Sequence, residues 1–374
     1  VETFKELGVN KNIVKGLNEL GIVNPTQIQS EVIQVLLNTD TDLIGQAQTG
    51  TGKTAAYGVP LLHRVNPKVD KVQGLILCPT RELGLQIAKQ LFKFTKHSEK
   101  TFTECVYGGA PIEKQIANLR RPTQIIVATP GRLIELVKKK AVDLTHVKTV
   151  ILDEADEMLS MGFKDQLNEI LTYLSRVENK WLFSATMPEG IKQIIKRHIS
   201  KSAHRIQISG KNVVNKNIKH QFVLCDDQEK LSVLMQFLKS DTKARGVVFC
   251  KTKEAAQKLN QQLQSQKVKV DAIHGDLKQI ERNKVMRAFK NEKLRVLVAT
   301  DLAARGIDIE GLAFVVHYQL PDKEEYYTHR SGRTARAGKE GISLSLVNHK
   351  EMKSLRYFQK TLNIGFSQIR AKRQ

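Results

Sequence analysis

The chain has 374 residues, more than one hydrophobic core usefully serves, so two or three domains are expected and a single small module is excluded. Hydrophobic residues make up 41% and charged residues 26%, values that exclude wholesale disorder and fibrous chains. Lys plus Arg number 60 against 38 Asp plus Glu, and the formal charge of +22 favours a polyanionic partner, nucleic acid first.

In the first half, short β-rich apolar runs at Asp42 to Gly45, Gly74 to Cys78, Gln124 to Ala128, Thr149 to Leu152 and Trp181 to Phe183 alternate with longer amphipathic stretches. That alternation predicts an α/β fold with a mostly parallel sheet flanked by helices. Each run ends at a polar or Gly-containing cluster. Doubly wound sheets bind ligands beyond the carboxyl ends of their strands, so GQAQTGTGKT, CPTREL, ATPGR, DEAD and SAT should gather along one edge.

The stretch SGKNVVNKNIKH, Ser209 to His220, is polar, Asn/Lys-rich and aperiodic, as a flexible linker is, and residues 209–217 are assigned to it. The pattern then repeats at Gly246 to Cys250, Val268 to Ile273, Leu294 to Ala299, Phe314 to Tyr318 and Ile342 to Val347. Two domains are therefore expected, 1–208 and 218–366, with a basic tail over 367–374 whose last residues, IRAKRQ, should fray. No apolar run approaches the roughly 18 residues of a membrane helix, and the opening segment lacks a secretory apolar stretch. A soluble, cytoplasmic protein without a membrane partner is expected. Cys78, Cys105, Cys225 and Cys250 form no C-x-x-C pair and read as buried reduced thiols.

The strongest local signal is Ala47-Gln48-Thr49-Gly50-Thr51-Gly52-Lys53-Thr54, placed between a short apolar run and a helix expected from Ala55. Glycines let backbone N–H groups turn inward around phosphate, Lys53 reaches the β/γ-phosphates, and the Thr54 hydroxyl can ligate Mg²⁺. Further on, Val150-Ile151-Leu152-Asp153-Glu154 is an apolar strand ending in two carboxylates. Asp153 suits a Mg²⁺ shell, and Glu154 is placed to orient or deprotonate a water. Together they predict an ATP-Mg²⁺ site.

Asp153-Glu154-Ala155-Asp156 is also the signature that the DEAD-box RNA helicases of helicase superfamily 2 carry, and the resemblance extends along nearly the whole chain. In order it takes in Pro25-Thr26-Gln27-Ile28-Gln29, AQTGTGKT, Pro79-Thr80-Arg81-Glu82-Leu83, Gly108-Gly109, Thr129-Pro130-Gly131-Arg132, DEAD and Ser184-Ala185-Thr186. Beyond the linker come Val248-Phe249-Cys250-Lys251-Thr252, Gln279-Ile280-Glu281-Arg282, Ala299-Thr300-Asp301 through Ala304-Arg305-Gly306-Ile307-Asp308, and His329-Arg330-Ser331-Gly332-Arg333-Thr334-Ala335-Arg336. Ala47 is the family's own form of the loop's first position. Two departures are Ile22, where the family usually has an aromatic, and Gly84, a small-for-small replacement of the usual Ala.

The resemblance implies two RecA-like domains of a bacterial-type ATP-dependent RNA helicase, a monomer of the core, with ATP and Mg²⁺ bound in the cleft between them. Gln29 would pair with the adenine edge and Phe4 stack on its ring; Gln48, Thr49, Gly50, Thr51 and Gly52 would cradle phosphate; Gly306 and Asp308 would hold the nucleotide, Asp308 at the ribose. Arg333 and Arg336 resemble arginine fingers. Asp156, Ser184, Thr186 and His329 resemble the link between ATP site and domain closure. Thr80, Arg81, Gly109, Thr129, Arg132, Thr252, Gly275, Arg282 and Thr300 lie in motifs that hold an RNA backbone without reading bases, so single-stranded RNA and short duplexes of any sequence are the expected partners. Two rivals remain at this stage: an ATP-gated RNA clamp without productive unwinding, and a double-stranded DNA translocase.

Overall fold

The computed structural model describes residues 3–47, 50–208, 217–304, 312–335 and 340–370, with the side chains of Gln279 and Glu325 excepted. The chain divides into two compact units, Val1–Ser209 and Gly210–Gln374.

The first unit contains β1 (Leu43–Gln46), β2 (Gly74–Leu77), β3 (Thr103–Val106), β4 (Ile125–Ala128), β5 (Thr149–Leu152), β6 (Asn179–Ser184) and β7 (His204–Gln207), in the spatial order β3-β4-β2-β5-β6-β1-β7. The second contains β8 (Ile218–Leu224), β9 (Gly246–Cys250), β10 (Val270–Ile273), β11 (Val296–Thr300), β12 (Phe314–His317), β13 (Gly341–Val347) and β14 (Ser367–Gln368), in the order β10-β11-β9-β12-β13-β8-β14. Every strand pairing among the described residues is parallel. Position by position the orders match, so β2, β3 and β4 correspond to β9, β10 and β11.

Helices cover both faces, and the central strands are therefore buried throughout. β2 reads GLIL, β4 IIVA and β5 TVIL, each without a polar interruption and each wholly buried. Opposite faces of the first sheet feed separate cores, one with Leu17, Ile33 and Phe94, the other with Leu133, Ile170 and Ile191. Burying an aliphatic side chain of this size contributes about 1.5–3 kcal/mol each.

β8 begins at Ile218, where the second domain is expected to start, and the polar run that opens in the assigned linker continues into it, with Ile218 and His220 facing inward and Lys219 outward. Residues 209–216 lie outside the described residues. The segment assigned to the basic tail from 367 begins in the sheet. Ser367 and Gln368 pair with Gln221 and Phe222, and the Ile369 N–H donates to the Phe222 carbonyl at 2.9 Å, which covers the backbone edge of β8.

Candidate active site and nucleic-acid interface

The phosphate loop leaves β1 and enters the helix Lys53–Arg64 at Gly52, which caps it in the left-handed region at φ +91°. Glycine is required there twice over. Besides the positive φ, a Cβ would stand 2.3 Å from Gln29 Nε2. Gln29 is 3% exposed; its Oε1 accepts the Thr26 N–H at 2.9 Å and its Nε2 donates to the Gly52 carbonyl at 3.1 Å. Thr26 Oγ1 donates to the Thr51 carbonyl at 2.8 Å. The Pro25-to-Gln29 segment is thus stapled to the loop, while Gln29 keeps one hydrogen and one lone pair for a ligand.

Lys53 is buried and its Nζ donates to the Ala47 carbonyl at 3.1 Å, across the mouth of the loop. Asp153, at the end of β5, is 3% exposed; its Oδ2 accepts the Tyr57 hydroxyl at 2.8 Å and its Oδ1 the Glu154 N–H at 2.9 Å. The Tyr57 hydroxyl also interacts with Thr54, so one ring joins the two halves of the site. Burial pushes the Asp153 carboxyl up, opposed by the Lys53 charge and by the hydrogen bonds from Tyr57 and Glu154. A divalent cation would relieve that burial. Carboxylate and hydroxyl are hard oxygen donors, and Asp153 retains lone pairs, so the residues fit Mg²⁺ completed by phosphate and water. Half-buried Glu154 adopts φ +50°, a left-handed conformation that a non-glycine residue holds only when its surroundings enforce it.

Asp156, the second residue of the helix Ala155–Ser160, ties this carboxylate strand to β6. Its Oδ2 accepts both the Thr186 N–H at 2.9 Å and the Thr186 hydroxyl at 2.8 Å, its own N–H donates to Ser184 Oγ at 3.2 Å, and Ser184 Oγ donates to the Thr186 carbonyl at 2.7 Å. Asp156, Ser184 and Thr186 therefore form a closed hydrogen-bonded ring of contacts beside the Asp153-Glu154 pair.

The residues expected to hold nucleic acid occupy corresponding places in the two units. Thr80 and Arg81 follow β2, Gly109 follows β3, and Thr129 and Arg132 follow β4; Thr252 follows β9, Gly275 and Arg282 follow β10, and Thr300 ends β11. Thr80 and Thr252 cap their helices, accepting from Leu83 N–H at 3.4 Å and Ala255 N–H at 3.1 Å. Arg132 bonds the Ala110 carbonyl at 3.0 Å and Glu135 at 2.9 Å; Arg282 bonds the Ala303 carbonyl at 2.7 Å. In the second unit His329 lies on the helix Glu324–Ser331, and half-buried Arg333 follows it, its N–H donating to the Arg330 carbonyl at 3.1 Å.

Phe4, expected to stack on adenine, is 1% exposed in the core that also contains Leu7, Val9 and Ile28. An unsubstituted phenyl ring gains more from burial than from an exposed face. Gln48, Thr49, Gly306, Asp308 and Arg336 lie outside the described residues. Sequence reading missed Tyr57 and Arg330. Tyr57 stands four residues after Lys53, a spacing that puts both on one helix face and was a usable signal; Arg330 finds its partner, Asp301, 29 residues away, which no local pattern reveals.

A strand, a glycine loop entering a helix on Lys53-Thr54, and an Asp-Glu pair following β5, which β6 separates from β1 in the same sheet, define a P-loop nucleotide hydrolase. A family model described as DEAD/DEAH box helicase matches residues 26–194, and one described as helicase conserved C-terminal domain matches residues 229–338. The chain is 42% identical over 358 residues to the ATP-dependent RNA helicase CshA of Listeria monocytogenes, covering 96% of this chain and 68% of that one. It is 40% identical over 361 residues to the DEAD-box ATP-dependent RNA helicase RhpA of Helicobacter pylori, covering 96% and 73%. Its fold is similar to that of S. cerevisiae Dbp5 bound to RNA and ADP BeF3, with a TM-score of 0.90 at 31% identity over 99% of this chain and 96% of that one. The chain belongs to the DEAD-box family of ATP-dependent RNA helicases. Its two sheets are the two RecA-like domains of that fold. No helix among the described residues is long and apolar enough to cross a membrane.

Proposed function

We propose that this helicase hydrolyses ATP at the Lys53, Asp153 and Glu154 site under the control of single-stranded RNA held along the β2-β3-β4 and β9-β10-β11 ends of its two units. The observation that carries the reading is that the helix Lys53–Arg64 links two contacts, the Gln29 to Gly52 hydrogen bond at its N-cap and the Tyr57 to Asp153 hydrogen bond in its first turns, with Asp156 and Thr186 bonded to each other nearby. Gln29 selects adenine with its spare donor and acceptor, Lys53 binds the β/γ-phosphates, and Glu154 orients the attacking water. Thr54 and Asp153 would hold the Mg²⁺ that neutralises charge on those phosphates. Arg333, with Arg336, stabilises the charge that develops on the transferred phosphoryl group, and His329, with Asp156, Ser184 and Thr186, couples hydrolysis to RNA binding. Four free thiols, buried or half-buried, suit a reducing cytoplasm.

Hydroxyl, backbone N–H and guanidinium donors at Thr80, Arg81, Gly109, Thr129, Arg132, Thr252, Gly275, Arg282 and Thr300 grip sugar and phosphate, so the strand is held without regard to sequence. Each closure then loosens only the base pairs under the gripped strand. Stacking of about 1.4 kcal/mol per step, the DNA value, lets a short duplex finish opening while a long one rezips. The test is a gel-shift series of RNA duplexes of increasing length on a fixed single-stranded overhang. ATP-dependent separation near about ten base pairs, failing by several tens, is expected from that stacking energy. Length-independent unwinding would contradict local opening, and ATP-dependent retention of RNA without any separation would identify a clamp instead.

A further inference from the structure

The carboxyl ends of β2 and β3 carry a contact that the nucleotide chemistry does not use. The guanidinium carbon of Arg81 lies 4.6 Å from the centroid of the Tyr107 ring. Arg81 is the first residue of the helix Arg81–Phe94, capped by Thr80, and among the described residues its guanidinium has no carboxylate or carbonyl partner. Its N–H donors are therefore uncommitted among the described residues while its guanidinium carbon sits over the ring. Tyr107 is itself held. Gln115, 5% exposed, accepts the Tyr107 N–H on Oε1 at 3.2 Å and donates Nε2 to the Tyr107 carbonyl at 3.0 Å, so one buried amide fixes both backbone groups of a single residue. Immediately beyond, Gly108 and Gly109 leave an open shoulder: nothing lies within 4 Å of where a Cβ would stand at either, and Gly109 has φ +79°.

A flexible arginine that grips a phosphate loses rotamer freedom on doing so. An arginine already stacked on a ring has lost part of that freedom before the anion arrives, and the cation–π attraction is compatible with in-plane hydrogen bonding at the guanidinium edge. We propose that Tyr107 is a positioning residue of the RNA interface: fixed by Gln115, it holds Arg81 flat so that the N–H edge meets an RNA phosphate beside the open Gly108-Gly109 shoulder. The inference rests on the assignment of Arg81 to the RNA path and deepens it by naming what orients the arginine.

The test uses the full chain and a fluorescein-labelled single-stranded oligouridylate, its affinity measured by anisotropy from low to moderate KCl. Four variants are compared with the unaltered protein: Arg81→Ala, Tyr107→Ala, Tyr107→Phe and the Arg81→Ala/Tyr107→Ala double. Arg81→Ala is expected to weaken binding by about tenfold or more and to lower the slope of log affinity on log salt by about 0.7, the loss of one phosphate contact. Tyr107→Ala should weaken binding about three- to tenfold and move the salt slope in the same direction, while Tyr107→Phe, which keeps the ring, stays within about twofold of the unaltered protein. In the Arg81→Ala background, Tyr107→Ala should cost nothing further, to within about twofold. A general loosening of the fold would persist in that background. Additive losses, or a Tyr107→Ala protein with full affinity, overturn the positioning role while leaving Arg81 in the RNA path. Full affinity in Arg81→Ala overturns the assignment of Arg81 itself, and the proposal with it.

Discussion

Arg330 grips Asp301 through two parallel charge-assisted hydrogen bonds, Nε to Oδ1 at 2.6 Å and Nη2 to Oδ2 at 2.7 Å, inside the second unit. Its third nitrogen donates to the Gln319 carbonyl at 2.9 Å, and its guanidinium carbon lies 5.1 Å from the Phe249 centroid. One arginine thus ties the end of β11 to the helix that carries His329 and leads to Arg333. At 2% exposure it has no water to fall back on. Asp301→Ala strands that buried charge and should destabilise the protein by about 3–5 kcal/mol, measured by urea unfolding. A loss under about 1 kcal/mol would mean that Arg330 finds compensation elsewhere.

Behind the same helix lies a buried polar cluster. His220 Nδ1 and the Tyr327 hydroxyl are 2.6 Å apart, and His317 Nε2 lies 3.1 Å from Ser343 Oγ and 3.3 Å from Ser331 Oγ. Burial lowers His220 from 6.5 to about 4, and burial, with Arg330 and His220 nearby, holds His317 well below its usual value. Between those limits the unfolded chain binds a proton that the folded chain refuses. Stability should therefore be complete above about pH 6.5, fall as the pH drops below it, and level off near pH 4 for His220. The loss from His220 is roughly 3 kcal/mol. Melting curves at pH 7.5 and pH 5 should show it, and His220→Gln, which does not titrate, should flatten the decline; an unchanged decline would place its cause elsewhere.

Gly84 is more than a neutral replacement for alanine. A Cβ there would stand 2.9 Å from Cys105 Sγ and 3.2 Å from Cys78 Sγ, so the two sulfurs fill the place of the missing methyl group. Gly84→Ala should destabilise the first unit by about 1–3 kcal/mol through overpacking, despite the better helix propensity. With Cys105→Ala already present, the same change should become neutral or stabilising by up to about 1 kcal/mol. Equal costs in both backgrounds would remove the steric explanation.

Gly52→Ala should add about 1–2 kcal/mol of backbone strain and push Gln29 out of its bonds with Thr26 and Gly52. ATP binding, followed by titration calorimetry, is expected to weaken at least tenfold, about 1.4 kcal/mol. Binding at full strength would show that the loop tolerates a side chain where the structure leaves no space.

The central strands and the phosphate loop were legible because they depend on local pattern: continuous apolar runs buried on both faces, each followed by small or polar residues. The strands that escaped notice lie at or beside the sheet edges. β7 buries only Ile206 of its four residues, β3 is half-buried with Thr103 and Glu104, and β14 is two exposed residues. β8 hid its alternation behind Lys219 and His220, which read as linker. At the site, residue types announced Lys53, Asp153 and Glu154, whereas the contacts that hold them, Gln29 to Gly52 and Tyr57 to Asp153, join segments 23 and 96 residues apart. Pairings of that range are set by the fold, and a single sequence does not display them.

The account turns on Glu154 as the carboxylate that activates water in an RNA-controlled site. Its most direct test is the rate of ATP hydrolysis at saturating single-stranded RNA by the unaltered chain and by Glu154→Gln, which keeps the size and hydrogen bonding of the side chain but not its basicity. The rate should fall by about 10² or more while ATP and RNA remain bound. Hydrolysis by Glu154→Gln at the unaltered rate would contradict the mechanism.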